Sequence, residues 1–267
     1  MIKIKFGIAQ FLLVFSVVLT QASAQTILLS AEEVSFIGER VFENECASNN
    51  ENLIAWNEGE DFLSLGIGHF IWHPANSRRI FEESFVKFLE YAKASGEKSP
   101  PWLDKKTFPE CPWDSRDDFL NAKSDVRLIE LKEFLIRTKP LQSAFILKRL
   151  EDALPLILMR APESSREKIA SQFNRVASAP SGIYALADYV NFKGLGIALS
   201  ENYQGKSWGL LQVLEGMRGE IEAPDAIREF ALSANIVLMD RVKNSPLGRN
   251  EQKWLPGWQK RVDSYIK

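Results

Sequence analysis

The chain has 267 residues, 45% of them apolar and 25% charged, with two cysteines and two histidines. That balance excludes a disordered tail, a collagen-like rod and a disulfide-dense miniprotein, and it leaves too few cysteines and histidines for most zinc sites. Lys and Arg number 33 against 35 Asp and Glu, a net charge of −2, so no basic excess points to nucleic acid as a partner.

Lys3 and Lys5 precede an almost wholly apolar run at 6–19, and the small-residue pattern Ala22-Ser23-Ala24 follows. Residues 1–24 are therefore expected to be a secretory signal peptide cleaved after Ala24. The run is shorter than the roughly 20 residues a comfortable membrane span needs, so no stable membrane anchor is expected once the signal is removed. Residues 25–267 are expected to form a single domain that works in the periplasm or outside the cell. In such an oxidising compartment Cys46 and Cys111 are expected to pair. A disulfide closing a loop of that length would contribute roughly 4 kcal/mol in the chain-entropy model.

Ser30 and Glu33 form a capping box, and Val34, Ile37 and Val41 follow at helical spacing. Glu45 continues that apolar stripe by one more turn. An acid there is costly unless it faces a cleft or a partner. A polar loop at 47–52 leads into short apolar runs at 53–72, broken by Asn57-Glu58-Gly59-Glu60-Asp61 and by Gly66-Ile67-Gly68. These breaks predict a small antiparallel sheet, a β lobe at about 48–75. A helix is predicted over 79–94, and the Pro- and Trp-rich stretch 95–113 reads as an irregular linker. Helical patterning then covers 125–138, 141–159, 164–178, 182–192, 207–217, 224–243 and 254–266. The predicted class is α+β, mostly helical.

The chemistry concentrates at 56–69. Glu58, Glu60 and Asp61 crowd one turn, where like-charge repulsion is unfavourable and a purely structural turn has no need of three acids. Gly66 and Gly68 let the backbone pass close to a neighbour. Taken with Glu45, this stretch resembles the phage-type lysozymes, the muramidases of the lysozyme superfamily. In that family a helix ends in a Glu, and a hairpin follows with an Asp, a Thr and a Gly-Ile-Gly-His run. Here Glu45 matches the helix-end Glu, Glu58 stands at the Asp position, Ser64 at the Thr position, and the run is intact at 66–69. Residues 185–194 look like the family's core helix with its Gly-ended cap, and 254–262 like the start of its C-terminal helix. The loop between Glu45 and Glu58 is longer than the family's, which loop-closure entropy tolerates.

The resemblance implies a lysozyme-like fold, a helical lobe and a small β lobe with the cleft between them. It implies a secreted glycosidase that cleaves peptidoglycan by two-carboxylate acid/base catalysis with inversion, and no cofactor or metal. Glu45 would be the general acid, since desolvation and the negative end of its helix dipole should both raise its pKa. On that reading Glu45→Gln should leave stability unchanged or raise it. Glu58 would be the ionised partner, with Glu60 and Asp61 as rivals, and Ser64 would position the water. Gly66, Gly68 and His69 are read as structural. Tyr189, Asn191 and Lys193 are candidate sugar-binding residues, and Gln212, in a Gly-Leu-Leu-Gln run loosely similar to one in lytic transglycosylases, is a candidate substrate contact. Two other readings stay open: a non-catalytic cell-wall or polysaccharide-binding protein on the same fold, and a chitosanase-like hydrolase.

Overall fold

The computed structural model describes residues 29–75, 77, 79, 81–104, 110–219 and 225–267. The expected signal peptide lies outside the described residues. Helix α1, Ala31–Cys46, starts on the predicted capping box: Ser30 Oγ accepts from the Glu33 backbone N–H, and the Glu33 side chain accepts from the Ser30 N–H. Its apolar stripe buries Ile37 and Val41 against α6, Lys139–Arg160. The two helices cross closely at Gly38, where an added Cβ would lie 1.8 Å from Ser143 Oγ. Helix α1 stops at Cys46, because Ala47 turns into the left-handed region at φ 51.

A short 3₁₀ turn at Asn50–Leu53 leads into the sheet. Strands β1 (Ile54–Ala55), β2 (Leu63–Leu65) and β3 (Phe70–Trp72) are antiparallel in the order β1-β2-β3. Ser64 pairs with Ala55 on one side and Ile71 on the other. These three therefore share one face, and Leu63, Leu65, Phe70 and Trp72 line the other. That second face packs on α2, Ser84–Ala94, through stacked Phe70 and Phe88 and tilted Trp72 and Phe85. The helix begins later than the 79–94 patterning predicts. Ser84 Oγ and the Glu83 carboxylate accept from the backbone N–H groups of Ile71 and His73, so the segment before it serves the sheet.

Among its described residues, the stretch expected to be irregular holds one short helix, α3 at Pro101–Asp104, and a further short helix, α4 at Arg116–Asn121, follows it. Helices α5 (Val126–Arg137), α6, α7 (Glu163–Ala177), α8 (Gly182–Lys193), α9 (Leu210–Gly216), α10 (Ala226–Asn244) and α11 (Leu255–Asp263) follow the predicted pattern closely. The mostly helical α+β class is as predicted. Helix α6 runs through the middle, touching α1, α2, α5, α7 and α8. Buried residues from the sheet and the helices join in a single hydrophobic cluster. Among the described residues no helix is long and apolar enough to cross a membrane.

Candidate active site

Glu45 sits one residue before the end of α1, and its two carboxylate oxygens are held from two directions. On one side, Arg261 Nη2 of α11 donates to Oε1 at 2.8 Å, and Asn191 Nδ2 of α8 donates to the same oxygen at 3.3 Å. On the other, His69 Nδ1 lies 3.3 Å from Oε2. Burial alone pushes the Glu45 carboxyl up, but the Arg261 guanidinium and His69 outweigh it and hold the group well below the usual carboxylate range. This corrects the expectation of a raised pKa. Desolvation acts as foreseen, yet the Arg261 guanidinium and the His69 ring, both in direct contact with the carboxylate, exceed it. The stability expectation for Glu45→Gln reverses with it, because the substitution removes a paired carboxylate, not a poorly solvated one.

The Gly-Ile-Gly-His turn is built as a rigid carrier for His69. Gly66 has φ +72, and an added Cβ would sit 2.3 Å from Gln142 Oε1. That fully buried glutamine accepts from the Ile67 N–H at 2.7 Å and donates through Nε2 to the Leu135 carbonyl and Thr138 Oγ1. Gly68 passes against the edge of Phe70, and its carbonyl accepts from Asn191 Nδ2 at 3.0 Å. His69 follows at φ +46, a left-handed conformation uncommon outside glycine. Gly66 and Gly68 thus have the structural role expected of them. His69 goes further, since its ring meets Glu45 itself.

Behind Arg261 stands an acid that the sequence reading passed over. Asp188 is fully buried in the middle of α8. It accepts from Arg261 Nη2 at 2.7 Å and Nε at 2.8 Å, from the Tyr265 hydroxyl at 2.6 Å and from Asn44 Nδ2 at 3.3 Å. Asn44 also donates to the Tyr184 hydroxyl at 2.7 Å. Arg261 therefore bridges two acids, one sealed in the core and one slightly exposed. A signal existed in the sequence. A charged residue amid the apolar run 183–190 demands a partner, although nothing local says that the partner is 73 residues away.

Of the acids in the hairpin turn, Glu60 is the least exposed. It is partly buried and accepts from Asn57 Nδ2 at 3.0 Å. Burial pushes its carboxyl up, while Asn57 and the nearby charges of His69 and Arg249 oppose that shift without cancelling it. Glu60 and Asp61 line a hollow of about 300 Å³ with Trp56, Asp114 and Arg116. Glu58 stands exposed beside Gly59 at the tip of the turn, and no contact joins it to Glu45, His69 or Arg261 among the described residues. Position in the motif matched Glu58, but the turn at 58–59 carries it outward, while its rival for the second carboxylate, Glu60, is partly buried. Ser64 lies buried on the middle strand, on the face shared with Ala55 and Ile71. A larger, apolar hollow of about 520 Å³ beside Ile54, Phe119, Leu128 and Ile129 touches none of Glu45, Glu60 and His69.

Other expected site residues serve the fold. Tyr189 is fully buried, and its hydroxyl donates to the Trp208 carbonyl at 3.0 Å, so it is a core residue and not a sugar contact. Asn191 is at the site, but it ties Glu45 to the Gly68 carbonyl. Lys193 is buried with Nζ 3.4 Å above the Trp258 ring centre. Burial and the charges of Arg241 and Arg261 hold its pKa well below that of a free lysine, so it is no solvated substrate clamp. Gln212 accepts from the Gly209 N–H at 2.9 Å and donates to the Gly196 carbonyl at 3.1 Å, clipping the start of α9 to the preceding loop. The expected disulfide is absent: Cys46 and Cys111 are both free and buried. Cys46 Sγ faces the Asn52 and Gly66 carbonyls and His69, whereas Cys111 pairs its backbone with the His73–Pro74 segment beyond β3. Burial pushes the Cys111 thiol up to about 12. Among the described residues no cluster of three or more His, Cys, Asp or Glu side chains is arranged to hold a metal ion.

No protein-family model, curated protein or solved structure matches the chain.

Proposed function

We propose that the chain is an exported glycoside hydrolase with a lysozyme-like arrangement, and that it cleaves the glycan strands of peptidoglycan. The observation that carries this reading is the meeting of the helix-end acid Glu45 with the Gly-Ile-Gly-His turn, His69 Nδ1 at 3.3 Å from Glu45 Oε2; the hairpin turn just before it supplies a second, partly buried acid, Glu60. Glycosidic cleavage needs one carboxyl to protonate the leaving oxygen and a second carboxylate to activate water on the far side of the sugar ring. Glu45 is assigned the first role and Glu60 the second, with inversion as the expected outcome. Ser64, on the neighbouring strand, is assigned to the attacking water.

Purified peptidoglycan incubated with the protein should lose turbidity and gain reducing ends. Glu45→Gln and Glu60→Gln should each lower the rate by about 10² to 10⁴, while Glu58→Gln leaves it near wild type. Reducing ends appearing from chitosan and not from peptidoglycan would move the substrate class while keeping the two roles. One observation favours a second reading, a non-catalytic polysaccharide-binding protein: the carboxylate of Glu45 is clamped by Arg261, Asn191 and His69. Tight sedimentation with cell walls and no reducing ends from either polymer would support that reading over the first.

A further inference from the structure

The hydrolase reading has a tension inside it. A general acid must have a proton to give, and Glu45 is held ionised by its neighbours. The hydrogen bonds around His69 indicate where the proton resides. The imidazole presents its two nitrogens to two different groups, Nδ1 to Glu45 Oε2 at 3.3 Å and Nε2 to Cys46 Sγ at 3.7 Å. Glu45 Oε1 already accepts from Arg261 and Asn191, so the carboxylate is an acceptor throughout and needs an N–H from Nδ1. The Cys46 thiol has two carbonyls to which its own hydrogen can go, Asn52 at 3.5 Å and Gly66 at 3.7 Å. With that hydrogen on a carbonyl, the sulfur is free to accept a second N–H from Nε2, so each ring nitrogen has an acceptor before it. A neutral imidazole has only one N–H; an imidazolium has both. The backbone fixes where the ring points. His69 is held at φ +46 by a turn locked on Gln142 and Asn191, and such fixed, sparsely populated conformations cluster where a side chain must be aimed.

We propose that His69 is a positioning residue that stores the site's dissociable proton as an imidazolium and passes it through Nδ1 to Glu45 Oε2 as the leaving oxygen draws on that carboxyl. This rests on the hydrolase reading of the same site. In the step, the His69 Nδ1–H bond breaks as the Glu45 O–H bond forms. That O–H breaks in turn as the leaving oxygen gains the proton and the glycosidic C–O bond cleaves. Water attacks the anomeric carbon and gives its proton to Glu60. Solvent then carries a proton from Glu60 back to His69, so one water is consumed and the protein is regenerated. The titratable groups facing His69 are Glu45 and Cys46 from α1 and Glu60 from the hairpin turn, with the charged Arg261 of α11 on the far oxygen of Glu45. Burial disfavours charge on the ring, but hydrogen bonds to Cys46 and Glu45 and the Glu45 charge overcome it, and the pKa is pushed up to about 10.

Ring-nitrogen NMR of the full protein tests this directly, since His69 and His73 are its only histidines and loss of one set of signals in His69→Asn assigns them. The His69 ring should carry both protons at pH 8 and lose one near pH 10, and Glu45→Gln should shift that midpoint down by two units or more toward the ordinary 6.5. A His69 ring with a single proton at pH 8 in the wild type would overturn the proposal. A second arm reads hydrolysis of peptidoglycan against pH. His69→Asn, whose side chain tolerates the left-handed backbone, should lower kcat more than 10-fold, leave KM nearly unchanged and move the alkaline limb of the profile to lower pH. A purely structural role would lower thermal stability and leave the limb in place, and a folded His69→Asn protein with an unmoved limb would overturn the relay. The arms separate the two claims. An intact imidazolium in a protein that hydrolyses nothing would overturn the hydrolase reading and the relay step with it. A neutral His69 in an active enzyme would overturn the relay alone.

Discussion

Two regions converge on Glu45, and they hold it by different means. The hairpin side works through the backbone: Gly66 and Gly68 allow close approach, Gln142 anchors the Ile67 N–H, and His69 is aimed by its own dihedral angle. The α8–α11 side works through buried charge. Arg261, with 9% of its side chain exposed, joins Glu45, at 13%, to Asp188, at 0%. The hairpin side is held by neutral groups, Gln142 and Asn191 among them, so its tolerance to mutation is a matter of sterics. The other side joins residues 216 positions apart, and its tolerance is a matter of uncompensated charge. One side aims the His69 ring at Glu45, and the other supplies the fixed positive charge that pairs with both acids.

The strongest test of that contrast is Arg261→Met. It leaves the packing volume nearly filled but strands Asp188 in the core and removes a cation from Glu45, so it should destabilise the protein by about 3–5 kcal/mol. Urea unfolding measures this, and a loss below 1 kcal/mol would mean that the charge network does not hold the two acids as drawn. Gly66→Ala attacks the other side. It places a Cβ against Gln142 at a positive φ, and should cost about 1–3 kcal/mol by backbone strain. It should also disturb Ile67 and His69 without touching the Asp188–Arg261 pair. Amide exchange at Ile67, sped up in Gly66→Ala and unchanged in Arg261→Met, would separate the two sides.

The smallest effect is one of pH, and its sign follows from the direction of each shift. Glu45 is held below its ordinary 4.5, so its contribution to stability is full above that pH and is lost as the pH falls through the lowered value. His69 is pushed from 6.5 up to about 10, so its contribution is full below 6.5 and fades as the pH rises through about 10. Both are complete only between about pH 4.5 and 6.5. The Tm difference between wild type and His69→Asn should be largest in that window and shrink toward pH 10. A difference independent of pH would assign His69 to packing alone.

What could be read from the sequence follows the same division. Helix α1 was legible down to its capping box, because Ser30, Glu33 and the stripe after them are local signals. The small antiparallel sheet was legible from the turn-forming breaks in 53–72, and the helices from α5 onward from their apolar patterning and proline punctuation. Glu45 was singled out for breaking an apolar stripe, and the glycine turn for its spacing. Arg261 was not found, since nothing in a surface-like helix pattern marks which basic residue turns inward. The exposure of Glu58 and the partial burial of Glu60 were not legible, because motif spacing counts positions, whereas exposure depends on which way the turn at 58–59 swings. Tyr189, Lys193 and Gln212 have the composition of a sugar site, and only packing reveals that they close the core around α8 and α9. The expected disulfide failed for a related reason. Compartment and cysteine count favour a bridge, but Cys46 is engaged beside His69 and Cys111 beyond β3.

The central claim is that Glu45 and Glu60 together cleave glycan strands. Reducing-end release from purified peptidoglycan, measured side by side for wild type, Glu45→Gln, Glu60→Gln and Glu58→Gln, tests it most directly. The account predicts steady release by wild type and Glu58→Gln and a fall of about 10² to 10⁴ in each of the other two, with all four folded. Equal release by all four, or loss in Glu58→Gln with Glu60→Gln fully active, would contradict it.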